Sequence, residues 1–325
     1  MVNLPSYDPN HPLEYDRKLW TNRAIAELFE PGSTFKIVTA TASIEEQLFN
    51  LNDIVEGGEG VIAIGKVKIK DAEEHGPLTF VEFIQHSSNV AAVKISQKIG
   101  MKKFYCYVRA FGFGARTKIR LPGEEKGHVG NPFEWTPLRF ATVSFGQGIS
   151  VTALQLVYAY SATANGGILL KPTVVKSIIS AGGDTLFTAE PVVVRRVMKS
   201  ETSQVLNKLL AGVVNYGTGK FAKIEGIEIA GKTGTSEKSK PLIGYEKGGY
   251  IASFIGFIPV QDPQLLIGVF IDEPKGVHWG GYIAAPLFRK IAQRILLFNE
   301  YQNKIVCALA AKNTKMESHE TVKDN

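Results

Sequence analysis

Pro31-Gly32 followed by Ser33-Thr34-Phe35-Lys36 constrains this chain more than any other stretch. The Pro-Gly pair breaks an incoming helix and lets a new one start at Ser33. On that helix a hydroxyl and an amine three residues apart share one face, so the amine can take the proton of the hydroxyl. Alone, the spacing describes any exposed helix start. Two further polar clusters follow in order, Ser87-Ser88-Asn89 and Lys232-Thr233-Gly234-Thr235. Taken singly, the first is an ordinary helix cap or turn and the second a plain strand end. A fold that gathers all three holds a nucleophile, two amines, a second hydroxyl and a carboxamide in one place.

The residue types suit acyl transfer. Ser33 needs a base, and a free lysine, near pKa ~10.4, is a poor one, so burial or a second cation must depress Lys36. Lys232 is that cation if the fold brings it close. Ser87 can relay a proton between Lys36 and a leaving amine, while the Asn89 amide can bind a substrate carbonyl and steady the lysines. Lys232 and Thr233 offer donors for a carboxylate, and Gly234 lets a substrate backbone lie along a strand. Backbone N–H groups of Gly32 and Ser33 at the helix start, and of Thr235, are available to an oxyanion.

Around these clusters the patterning is mixed. Helix is expected in the Leu19–Leu48 region after Pro31-Gly32, over Thr79–Ile99, Val151–Ala164, Ser200–Val214 and Tyr282–Phe298. Val61–Ile64 and Val67–Ile69 alternate as a short hairpin, and strands are expected at Glu228–Thr233, Ile251–Ile258 and Gln264–Ile271. Helices followed by consecutive strands and a last helix give an α+β fold: helices on a mainly antiparallel sheet, plus a helical lobe.

Composition removes other classes. Two cysteines, Cys106 and Cys307, far apart and outside any CxxC spacing, exclude a disulfide framework. Six histidines show no HExxH pairing, so no metal site is expected. The net charge of +6 comes from dispersed Lys and Arg, without the clustering a nucleic-acid surface needs. No stretch reaches the length of a membrane span, and the first residues carry no signal-peptide pattern.

With its three motifs in order, the chain resembles the transpeptidase domain of class B penicillin-binding proteins, the septal, cell-division branch in particular. Asn22-Arg23-Ala24 through Glu30-Pro31-Gly32 to Lys36 is similar to the septal form of the nucleophile segment, and Ser87-Ser88-Asn89 fits that branch. Phe111-Gly112-Phe113-Gly114, Leu121-Pro122-Gly123-Glu124, Ser144-Phe145-Gly146-Gln147-Gly148, Gly217-Thr218-Gly219 and Gly280-Gly281 are similar to further family segments. The resemblance implies a penicillin-binding protein transpeptidase, serine β-lactamase-like fold over 1–300, with 301–325 as an extension whose polar tail is expected to be disordered. It implies Ser33 as nucleophile, Lys36 as base, Ser87 as proton shuttle, and Asn89, Lys232, Thr233, Gly234 and Thr235 at the substrate. The Ser33 and Thr235 N–H groups would form the oxyanion hole.

The implied substrates are peptidoglycan stem peptides ending in D-Ala-D-Ala, with β-lactams as mimics and no metal or organic cofactor. Implied too are a septal glycosyltransferase among division partners, and a membrane anchor with the catalytic domain on the outer side. Family members carry an anchor, a pedestal domain and two sheet strands ahead of the Pro5–Asn10 region, so the sheet here is expected to lack those strands. Lys118 departs from the pattern, standing where the family usually has glycine. Two rival readings share the motifs. One is a hydrolase, either a β-lactamase or a D,D-carboxypeptidase; the other is a non-catalytic β-lactam sensor or division scaffold.

Overall fold

The computed structural model describes residues 1–238 and 249–298. In chain order, α1 is Arg23–Ala26 and α2 is Lys36–Glu45. Next come β1 (Ile54–Glu56), β2 (Val61–Ile64), β3 (Val67–Lys70) and β4 (Leu78–Thr79). Helices α3 (Phe80–His86), α4 (Asn89–Ile99), α5 (Met101–Ala110), α6 (Pro137–Val143) and α7 (Ala153–Ala164) build the middle of the chain. Strands β5 (Ile168–Leu170), β6 (Ser177–Ile179), β7 (Thr185–Thr188) and β8 (Val193–Arg196) then lead to α8 (Ser200–Asn215). The last elements are β9 (Ala230–Glu237), β10 (Tyr250–Ile258), β11 (Leu265–Asp272) and α9 over 280–298.

Strands β11-β10-β9 form an antiparallel sheet in that order, with Ile255 opposite Lys232 and Gly268. Its middle strand is buried on both faces, which is why it reads as an apolar run rather than an alternation. The period of two sends Ile255 and Phe257 into one core and Phe254 and Ile258 into another. The larger core holds α2, α4, α7 and α8; the smaller is closed by α9, whose Phe288 meets Phe254 edge-on at 4.8 Å. Helix α2 is buried from Lys36 to Ser43 on all sides, as a central helix must be.

The sequence-based strand and helix assignments hold with shifted ends, and three differences bear on function. The helix expected after Pro31-Gly32 is α2, but it begins at Lys36 rather than Ser33: a 3₁₀ turn at Gly32–Phe35, with Gly32 at φ +55, precedes it. The Thr79–Ile99 helix breaks at Ser87, which sits left-handed at φ 62 between α3 and α4. Lys232–Thr235 does not end a strand but lies inside β9. Lys118, in the place where glycine was expected, also takes a left-handed φ of 64. The buried Glu124 carboxylate accepts from the Thr117 and Lys118 N–H groups and holds that turn without glycine. The polar tail at 301–325 lies outside the described residues.

Candidate active site

Three separate segments bring their side chains to one point. The turn at Gly32–Phe35 ends on α2, so Ser33 and Lys36 stand one turn apart with Ser33 Oγ 3.0 Å from Lys36 Nζ. The α3–α4 break turns Ser87 and Asn89 toward the same amine. Ser87 Oγ is 3.1 Å and Asn89 Oδ1 2.8 Å from Lys36 Nζ, and the Ser87 carbonyl accepts from it as well. Strand β9 supplies Lys232, whose Nζ donates to Ser87 Oγ at 2.8 Å. Ser87 Oγ therefore bridges two amines.

Both lysines are fully buried. Burial first, and then the charge of Lys232, hold the Lys36 amine well below its ordinary value, against an opposing pull from Asp71. Burial alone brings Lys232 down to about 7. Four oxygens, Ser33 Oγ, the Ser87 carbonyl, Ser87 Oγ and Asn89 Oδ1, lie in reach of Lys36 Nζ. A neutral amine gives its N–H groups to Asn89 Oδ1 and the Ser87 carbonyl and turns its lone pair to the Ser33 hydroxyl. The arrangement suits proton removal from Ser33.

Period-two alternation on β9 divides its motif. Thr233 and Thr235 line an open cavity of about 490 Å³ together with Ser33, Ser87 and Asn89, while Lys36, Lys232 and Gly234 lie behind that surface. Thr233 Oγ1 is 2.7 Å from Thr218 Oγ1, and Thr235 Oγ1 accepts from the Gly280 N–H at 3.0 Å. The bare Cα of Gly234 faces the nucleophile segment: a Cβ there would approach Thr34 Cγ2 to 2.8 Å. Gly32 abuts β9 in the same way, 3.0 Å from the Thr235 carbonyl oxygen for a built Cβ. The Ser33 and Thr235 backbones are thus neighbours. Of the N–H groups at the helix start, that of Gly32 is not free: it donates to the Gly146 carbonyl at 2.9 Å.

Several supporting residues have no local sequence signal. Asp71 accepts from Ser88 Oγ at 2.7 Å and from the Asn89 and Val90 N–H groups, capping α4 and fixing Asn89. Tyr160 OH, fully buried, donates to the Thr34 carbonyl at 2.8 Å and pins the nucleophile turn. Their partners lie 17 to 126 residues away, beyond any periodicity. Gly146, Gly148 and Gly280 did stand in noted segments. Their contacts explain why: Gly146 meets Gly32, the Gly148 N–H donates to Glu30, and Gly280 meets Thr235.

A serine aimed by a buried amine, with a hydroxyl bridging to a second amine, is the equipment of a serine acyl-transfer site. The model of the penicillin binding protein transpeptidase domain matches residues 1–293, and the chain belongs to that family. Among relatives, it is 37% identical over 296 residues to stage V sporulation protein D of Bacillus subtilis, covering 90% of this chain and 46% of that protein. It is 32% identical over 294 residues to the probable peptidoglycan D,D-transpeptidase PenA of Neisseria meningitidis, covering 90% and 48%. Among solved structures, penicillin binding protein 3 from Mycobacterium tuberculosis with aztreonam superposes with a TM-score of 0.83 at 34% identity, over 90% of this chain and 68% of that one. The fold is that of penicillin-binding protein transpeptidases. The chain spans about half the length of the curated relatives it matches.

Proposed function

We propose that this chain carries the catalytic domain, over about 1–300, of a peptidoglycan D,D-transpeptidase of the septal type. The observation that supports this most is the Lys36 amine, buried among Ser33, Ser87 and Asn89 with Lys232 behind them. In this reading Lys36 takes the proton of Ser33 Oγ as that oxygen attacks the carbonyl of the penultimate D-Ala. The proton passes by way of Ser87 to the nitrogen of the departing D-Ala. The amine of a second stem peptide then attacks the Ser33 ester, its proton passes to Lys36, and Lys36 delivers it to Ser33 Oγ as the ester bond breaks.

Asn89 steadies Lys36 and meets the substrate backbone. Thr233 and Thr235 take the terminal carboxylate at the cavity surface. Lys232, lying behind, contributes its charge and its hold on Ser87, and Gly234 keeps β9 close to the nucleophile segment. The N–H groups of Ser33 and Thr235 receive the oxyanion. β-Lactams acylate Ser33 in place of the stem peptide; the M. tuberculosis relative is known in complex with aztreonam and with ampicillin. No cofactor is required. The domain works outside the cytoplasmic membrane, held by an anchor in the whole protein, with a septal glycosyltransferase among its division partners.

Fluorescent penicillin tests the reading. The chain should gain a stoichiometric, long-lived label that maps to the Ser33 peptide and disappears in Ser33→Ala. Rapid regeneration of free protein would replace it with the hydrolase reading, and a folded chain that never labels would leave only the division-scaffold reading.

A further inference from the structure

The cavity has a wall that the acylation chemistry leaves unused. Glu73 and His75, from the loop between β3 and β4, and His86, the last residue of α3, line it beside Ser87. His86 is the chain neighbour of Ser87, so this wall adjoins the hydroxyl that bridges the two lysines. The imidazoles of His75 and His86 lie with ring centroids 4.5 Å apart, tilted by 37° to one another. Among the described residues, neither ring nor the Glu73 carboxylate has a hydrogen-bond partner.

The charges around the pair are few. His75, Glu82 and Glu73 are the groups that act on His86. Glu82 is committed to the Thr79 cap of α3, so Glu73 is the uncommitted carboxylate. Asp71, in the same wall, has its oxygens taken by Ser88, Asn89 and Val90. Burial and the neighbouring His75 push the His86 imidazole below its ordinary value, so the ring is neutral near pH 7 and can accept a proton.

We propose that Glu73, His75 and His86 form the subsite for the acceptor, the primary ammonium of the second stem peptide; the proposal rests on the transpeptidase reading. A primary ammonium is a cation with three donors and no lone pair, so it must be both held and deprotonated before it attacks. Glu73 supplies the attraction. An imidazole nitrogen of the pair accepts one proton, leaving a neutral amine beside the Ser33 ester. The amine nitrogen bonds the carbonyl carbon and the bond from that carbon to Ser33 Oγ breaks. The second amine proton passes through Ser87 to Lys36 and on to Ser33 Oγ, and the imidazolium releases the first to solvent. The balance is one ammonium and one ester in, one amide, one serine and one proton out. Donor and acceptor thus enter against different elements, the donor along β9 and the acceptor along the β3–β4 loop and the end of α3.

The test uses this chain with an N-benzoyl-D-alanyl thioester as donor and D-alanine as acceptor amine, and reads the ratio of aminolysis to hydrolysis as D-alanine is raised. Glu73→Gln and the double variant His75→Gln/His86→Gln should each raise the half-saturating D-alanine concentration about tenfold, the loss of roughly one charge-assisted bond. Donor kcat/KM without amine, and the rate of labelling by fluorescent penicillin, should stay within about twofold of wild type. Glu73 is exposed, so Glu73→Gln reports even where the double variant folds poorly. An unchanged amine dependence in Glu73→Gln overturns the proposal. So does a parallel fall in penicillin labelling, which would put these residues on the donor side. A wild-type chain that never labels, or labels and never transfers to D-alanine, sinks the transpeptidase reading instead.

Discussion

Replacing Lys232 with methionine should stabilise the protein while disabling it. Lys232 is fully buried and its amine falls from 10.5 to about 7, a cost of about 5 kcal/mol for keeping it charged inside the fold. Against this stand its bonds to Ser87 Oγ at 2.8 Å and to the Thr233 carbonyl at 3.3 Å, about 1–2 kcal/mol each. Methionine fills similar space without charge, and Ser87 Oγ keeps Lys36 as a partner. The variant should therefore gain about 2 kcal/mol at pH 6, about 4 °C in Tm.

The sign depends on pH. Below pH 7 the folded protein carries the desolvated charge and its full cost. Between pH 7 and 10.5 the unfolded chain holds a proton that the folded one has shed, so wild-type stability rises by about 1.4 kcal/mol per pH unit. Methionine binds no proton, so the advantage of the variant is greatest at pH 6, shrinks through pH 8 and vanishes by about pH 9. Calorimetric melting of both proteins at three pH values measures this, with penicillin labelling of Ser33 showing the functional loss. A variant that melts at or below wild type at pH 6, or a difference that ignores pH, would refute the reasoning.

Two further substitutions test the scaffold of the nucleophile. Tyr160→Phe leaves the buried Thr34 carbonyl without its donor and should cost about 1–3 kcal/mol, read as a Tm drop of several degrees, with slower penicillin labelling. Gly146→Ala forces a side chain at φ +86 onto the Gly32 carbonyl; it should cost at least about 2 kcal/mol in denaturant unfolding and displace Ser33, cutting labelling well beyond what the melting change explains.

How far the sequence reached follows the range of the interactions. Ser33 and Lys36 are legible because one helical turn joins them, and the strand and helix patterns are legible because their periods repeat within a dozen residues. That Lys232 would lie near Lys36 could be asked for on chemical grounds, since a lysine base needs a depressed pKa, but only the fold brings 36, 87 and 232 together. Asp71 and Tyr160 were missed for the same reason: a capping carboxylate or a buried phenol looks like any other until its distant partner is known. The misreading of Lys232–Thr235 as a strand end came from its polarity. Four polar or small residues look like a boundary, yet β9 tolerates them because one face meets the cavity and the other meets buried amines.

The meeting of three distant segments at Lys36 makes reactivity a property of the finished molecule. In an unfolded chain, or one where only the helices have formed, Lys36 is an ordinary solvated ammonium and Ser33 an ordinary alcohol. Only when β9 closes beneath the turn, and the α3–α4 break points inward, does the amine lose its proton. A nascent or damaged molecule therefore carries no activated serine, and the protein arms its nucleophile only by completing its fold.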